Sequence, residues 1–108
     1  MAKISRDRFG LSRFGDPGLL ILISLLDGAK HGHAMIVDIE RTTGLRLGPG
    51  TLYGALPKLE ERGLIVTLES TDRRRPYEIT PDGRSAVAEN VARWDQVLQT
   101  ATTRLAMP

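Results

Sequence analysis

At 108 residues and 41% hydrophobic content, the chain can build one domain around a single core and is too short for two. Fifteen Lys and Arg against thirteen Asp and Glu leave a formal charge of only +2, so where the cations sit matters more than how many there are. The absence of cysteine excludes a disulfide framework and a thiolate metal site and fits a reducing cytoplasm, where the chain is expected to work.

In chain order, residues 1–15 read as a flexible basic arm, with Lys3, Arg6, Arg8 and Arg13 opposed only by Asp7. No apolar signal-peptide core follows these cations. Asp16 and Pro17 then supply an N-cap and a first-turn proline for a first helix, which runs to Asp27 and stops at Gly28. Its apolar run, Leu19 to Leu26, is interrupted by Ser24 and falls far below the roughly 18 residues of a membrane span, so no membrane partner is expected. Because leucines and isoleucines occupy all faces of this helix, some of them, Leu22 included, are expected to be covered by a second chain.

Gly32 opens a second helix in which Met35, Ile36 and Ile39 keep helical spacing up to Gly44. After Gly48 and Pro49, Leu52, Leu56 and Leu59 recur at steps of four and three until Gly63, which gives a third. Residues 64–69 favour a strand, 70–76 a polar turn and 77–79 a second strand. Two short helices followed by a hairpin make a winged helix-turn-helix. Thr80 and Pro81 start a long last helix, from about Asp82 to Arg104, on which Val87, Val91, Trp94, Leu98, Ala101 and Leu105 form a heptad seam. The expected fold is therefore mainly α with a small β-hairpin. A winged helix-turn-helix over 16–80 is followed by a dimerisation helix over 81–108, with Leu22, Val87, Val91, Trp94, Leu98 and Leu105 at the interface of a homodimer.

The third helix occupies the position of a DNA-recognition helix. Its leucines face the core, and Gly50, Thr51, Tyr53, Gly54 and Lys58 are left outward near the half that enters a major groove. Arg73, Arg74 and Arg75 stand at the hairpin tip, where they reach a minor groove or flanking phosphates of double-stranded DNA. His31 and His33 lack the spacing of a zinc site and suit helix-start packing, and Gly48, Gly50 and Gly54 lack the strand and the Gly-Lys-Ser/Thr of a phosphate loop. No nucleophile has a base beside it, so no enzyme, metal or cofactor is expected. Trp94, the single tryptophan, suits both dimer core and a platform for an aromatic ligand.

Several of these residues carry a family resemblance. His31-Gly32, the stretch Pro49-Gly50-Thr51-Leu52-Tyr53, the stretch Leu59-Glu60-Glu61-Arg62-Gly63-Leu64-Ile65, and Arg73 to Arg75 with Tyr77, Thr80 and Gly83 resemble the PadR transcriptional regulators in their short form. The resemblance implies a homodimeric repressor on a near-palindromic operator, responsive to a small hydrophobic or aromatic effector. Gly48 departs from the family's frequent capping serine, His33 from a frequent aromatic, and Pro57 is expected to kink the third helix. Two other readings fit the pattern: a winged-helix protein-interaction module without DNA binding, and a small-molecule carrier built around Trp94.

Overall fold

The structure is a computed structural model that describes residues 15–70 and 73–108. The expected N-terminal arm lies, but for Gly15, outside the described residues, as do Thr71 and Asp72 of the wing turn. The element order is α1 (Pro17–Ser24), a 3-10 turn (Leu25–Asp27), α2 (Gly32–Thr43), α3 (Pro49–Glu61), β1 (Ile65–Thr67), β2 (Tyr77–Ile79) and α4 (Pro81–Leu105).

Local chemistry sets each boundary. The Asp16 carboxylate accepts from the amides of Gly18 at 2.8 Å and Leu19 at 3.3 Å, satisfying two donors that the first turn leaves open. α1 tightens into the 3-10 turn after Ser24 and leaves it through Gly28, whose φ of 146° is open at little cost only to glycine. Gly44 closes α2 in the left-handed conformation, its amide donating to the carbonyl of Glu40 at 3.0 Å. α3 runs unbroken through Pro57.

α1 sits at the centre of the protein and packs on α2, α3 and α4. Leu19, Leu20, Ile21, Leu22 and Leu25 are all buried, and Ile23 alone of its large side chains is exposed, at 38%. This corrects the expected placement of Leu22: at 0% exposure it is enclosed by its own chain and offers no surface to a second one. The all-round apolar pattern has a simpler cause than dimerisation, since a helix covered on three sides by its own neighbours needs apolar groups all round. Met35, Ile39, Leu47, Leu52, Leu56, Leu59, Leu64, Ile65, Ile79, Ala86 and Val87 complete the core.

The hairpin is shorter than expected. β1 and β2 pair antiparallel in the register Ile65 with Ile79 and Thr67 with Tyr77, and Tyr77 also exchanges backbone bonds of 3.1 and 2.9 Å with Lys30. That bridge ties the wing to the segment before α2. Thr80 joins three elements through one hydroxyl, which donates to the carbonyl of Gly63 at 2.6 Å and accepts from the amide of Gly83 at 3.0 Å. Gly83 is required by packing: a Cβ there would lie 2.3 Å from the carbonyl oxygen of Leu64. On the far side, Lys30 pairs with Asp27 and holds its carboxyl below the usual carboxylate range. The stabilisation from that pair is present at neutral pH and lost as the pH falls through the lowered pKa.

Candidate nucleic-acid interface

α3 divides by face. Leu52, Leu56 and Leu59 are buried against α1 and β1, while Gly50, Thr51, Tyr53, Gly54 and Lys58 are exposed, as its spacing implies. A Cβ on Gly50 or Gly54 would meet nothing within 4 Å, so neither glycine is demanded by the protein's own packing. What they create is a shallow stretch of helix surface that another backbone can approach closely. The N-cap Gly48 makes no side-chain bond, which leaves the amides of the first turn of α3 facing outward with the positive end of the helix dipole.

Two depressions flank this surface. One, of about 440 Å³, lies between the start of α1 (Asp16, Pro17, Gly18) and Gly50, Thr51, Gly54, Lys58 and Arg62. The other, of about 290 Å³, is lined by His31, Gly32 and His33 at the start of α2, by Tyr53, by Arg73, Arg74 and Arg75, and by Tyr77. The fold thus brings Tyr53 and the three wing arginines to one cleft from distant parts of the sequence. Tyr53 is half a packing residue, 52% exposed, with its ring laid over Gly32 so closely that a Cβ there would come within 2.6 Å of its hydroxyl.

Sequence reasoning misses several members of this surface. His31 and His33, expected as helix-start packing, line the same cleft as the wing arginines. Arg62, although inside the stretch that carries the resemblance, and the first turn of α1 are not expected as DNA contacts, yet both line the depression beside α3. For His31 and His33 the signal is topological: they open α2, the first helix of the helix-turn-helix, which crosses the DNA backbone beside the recognition helix. Among the described residues no three potential metal ligands come together.

The seam of α4 also splits. Val87 is 4% exposed and belongs to the protomer's own core, which corrects its expected place at the interface. Val91, Leu98 and Leu105 are exposed at 56, 61 and 86%, and Trp94 is half-buried. From Asp95 onward every residue except Thr100 is exposed, so the last three turns of α4 extend past the body of the domain. Between α1, the end of α2 and α4 runs an apolar groove of about 540 Å³, walled by Leu19, Leu20, Ile23, Leu45, Val91, Trp94 and Leu98. No helix among the described residues is long and apolar enough to cross a membrane.

Comparison with known proteins agrees with this architecture. A PadR family transcription regulator from hypervirulent Clostridium difficile R20291 superposes with a TM-score of 0.75 at 22% identity, covering 85% of this chain and all of that one. A PadR-like regulator from Bacillus cereus superposes at 0.74 with 19% identity, over 87% of this chain and 95% of the other, and these two show the fold. In sequence, the chain is 39% identical over 75 residues to the transcriptional regulator Rv3488 of Mycobacterium tuberculosis, covering 67% of this chain and 69% of that protein. It is 49% identical over 72 residues to an uncharacterized 37.1 kDa protein in transposon TN4556 of Streptomyces fradiae, but this is 67% of the chain and only 21% of that protein. The pattern of the PadR-like transcriptional regulator family matches residues 21–89, the span from the core of α1 to the first turns of α4, and the family is one of regulators and not of enzymes. The chain belongs to the PadR-like family of transcriptional regulators.

Proposed function

We propose that this chain is a sequence-specific DNA-binding repressor that occupies a near-palindromic operator as a homodimer. One observation carries the reading: the bare, glycine-lined outer face of α3 stands beside a cleft in which Tyr53, His33 and three wing arginines converge. Gly50, Thr51, Gly54 and Lys58 approach base edges and phosphates in a major groove, and Arg73, Arg74 and Arg75 neutralise phosphates alongside. The scarcity of long polar side chains on α3 makes much of the specificity a matter of DNA shape. A protein-interaction module would gain nothing from such a charged wing.

The exposed apolar strip of α4 supports the dimer. Val91, Leu98 and Leu105 are larger and more exposed than an isolated soluble helix keeps, and a two-fold partner covers them. The groove beside Trp94, at about 540 Å³, has the size of a small-molecule site and is our candidate for a hydrophobic or aromatic effector. Such a ligand would act by favouring one spacing of the two α3 helices. The relative named transcriptional activator GvpE2 from Halobacterium salinarum, 32% identical over 77 residues, favours activation as a second reading of the outcome on transcription. A reporter driven from DNA upstream of the chain's own gene separates the two: loss of the protein raises output for a repressor and lowers it for an activator. Binding itself is tested by anisotropy on that DNA over a salt series. A Kd that weakens steeply with salt and favours one sequence supports the reading, and weak, sequence-blind binding would end it.

A further inference from the structure

Gly32 is the first residue of α2 and is buried. The positive φ values among the described glycines belong to Gly28, Gly44 and Gly63, so the backbone at Gly32 would accept any L residue, and an alanine would favour the helix. The reason for a glycine there lies outside the backbone. A Cβ at this position would meet a single side chain: its three nearest atoms all belong to Tyr53, the hydroxyl oxygen at 2.6 Å, Cε1 at 2.7 Å and Cζ at 2.8 Å. Tyr53 reaches across from α3, and the hydroxyl end of its ring rests on the bare first turn of α2. At Gly83 the obstacle is a backbone oxygen, which cannot move aside, whereas at Gly32 it is the tip of a side chain, which can.

The place of that ring decides the shape of the recognition surface. Tyr53 is the one aromatic residue of α3 and stands between Gly50 and Gly54, 52% exposed. A Cβ on Gly50 would have nothing within 4 Å, so the ring does not cover that glycine. Laid back on Gly32, it leaves the outer face of α3 shallow and keeps its hydroxyl at the cleft lined by His33, Arg73, Arg74 and Arg75. Side chains on a helix lean over the residues three and four positions earlier, so a ring pushed off Gly32 turns into the open space beside Gly50.

We infer that Gly32 is a positioning residue for DNA binding: its missing side chain parks Tyr53 on α2, which keeps the face of α3 open to DNA and the phenol hydroxyl beside the wing arginines. This rests on α3 being the recognition helix.

The test is a double-mutant cycle between Gly32→Ala and Tyr53→Ala in the full chain, with circular dichroism to report folding. Binding is read by anisotropy, in low salt, on DNA from upstream of the chain's own gene and on a random duplex of equal length. Gly32→Ala stays folded and binds the upstream DNA about tenfold more weakly, the scale of one misplaced hydrogen bond to a charged group. In the Tyr53→Ala background the added methyl group has no ring to displace, and the same substitution changes the Kd by less than about twofold. Unchanged affinity in Gly32→Ala, an equal loss in both backgrounds, or an unfolded Gly32→Ala chain overturns the assignment. In those cases the unaltered chain still prefers the upstream DNA, and the regulator reading stands without a role for Gly32. An unaltered chain that binds both duplexes equally removes the regulator reading itself, and the inference with it.

Discussion

Gly54 separates folding from recognition at a single position. It lies in the middle of α3 with open space where a Cβ would go, so Gly54→Ala should stabilise the isolated protein by about 1 kcal/mol through helix propensity alone. The same methyl group stands on the face that approaches DNA, so operator affinity should fall while the melting temperature rises. Thermal unfolding and anisotropy together check this, and a rise in both would remove Gly54 from the interface. Gly83 makes the opposite case. Its missing Cβ would lie 2.3 Å from a backbone oxygen that cannot move aside, and Gly83→Ala should cost roughly 1 to 3 kcal/mol in denaturant unfolding. On the wing, replacing Arg73, Arg74 and Arg75 with Ala should weaken all DNA sequences alike and reduce the slope of log K against log salt by about 0.9 for each phosphate that is no longer neutralised. An unchanged slope would take the wing off the DNA.

At the level of elements, α4 is two helices in one. Through Asn90 it packs on the core, and beyond Trp94 it carries Leu98 and Leu105 into solvent. Replacing Val91 and Leu98 together with Glu should therefore leave each protomer folded and yield monomers by sedimentation, since both side chains are more than half exposed in the single chain. Unfolded protein would instead place them in the core. The elements are largely legible in the sequence because their punctuation is local: Asp16, Gly28, Gly44, Gly63 and Thr80 mark ends that the backbone bonds confirm. Periodicity locates the leucine face of α3 for the same reason. It fails for Leu22 and Val87, because a repeat of apolar residues records that a face is covered and not which chain covers it. The cleft shared by His33, Tyr53 and the wing arginines is illegible for another reason, as it is assembled from three elements by the Lys30 to Tyr77 bridge.

On the scale of the whole molecule, operator recognition requires two copies of α3 held at a fixed separation by the exposed strip of α4. One protomer presents one recognition helix, which suffices for backbone attraction but reads too few base pairs to pick an operator. A two-fold dimer presents two, and they meet a duplex productively only where the major-groove segments they enter lie one helical turn apart, about 34 to 36 Å. The measurement that tests this most directly is hydroxyl-radical footprinting of the full chain on its own upstream DNA, with complex stoichiometry determined in parallel. A dimeric reader gives two chains per site and two protected half-sites centred about 10 base pairs apart on one face of the duplex, related by approximate inverted symmetry. A single protected patch at saturation, or uniform protection with no preferred site, would contradict it.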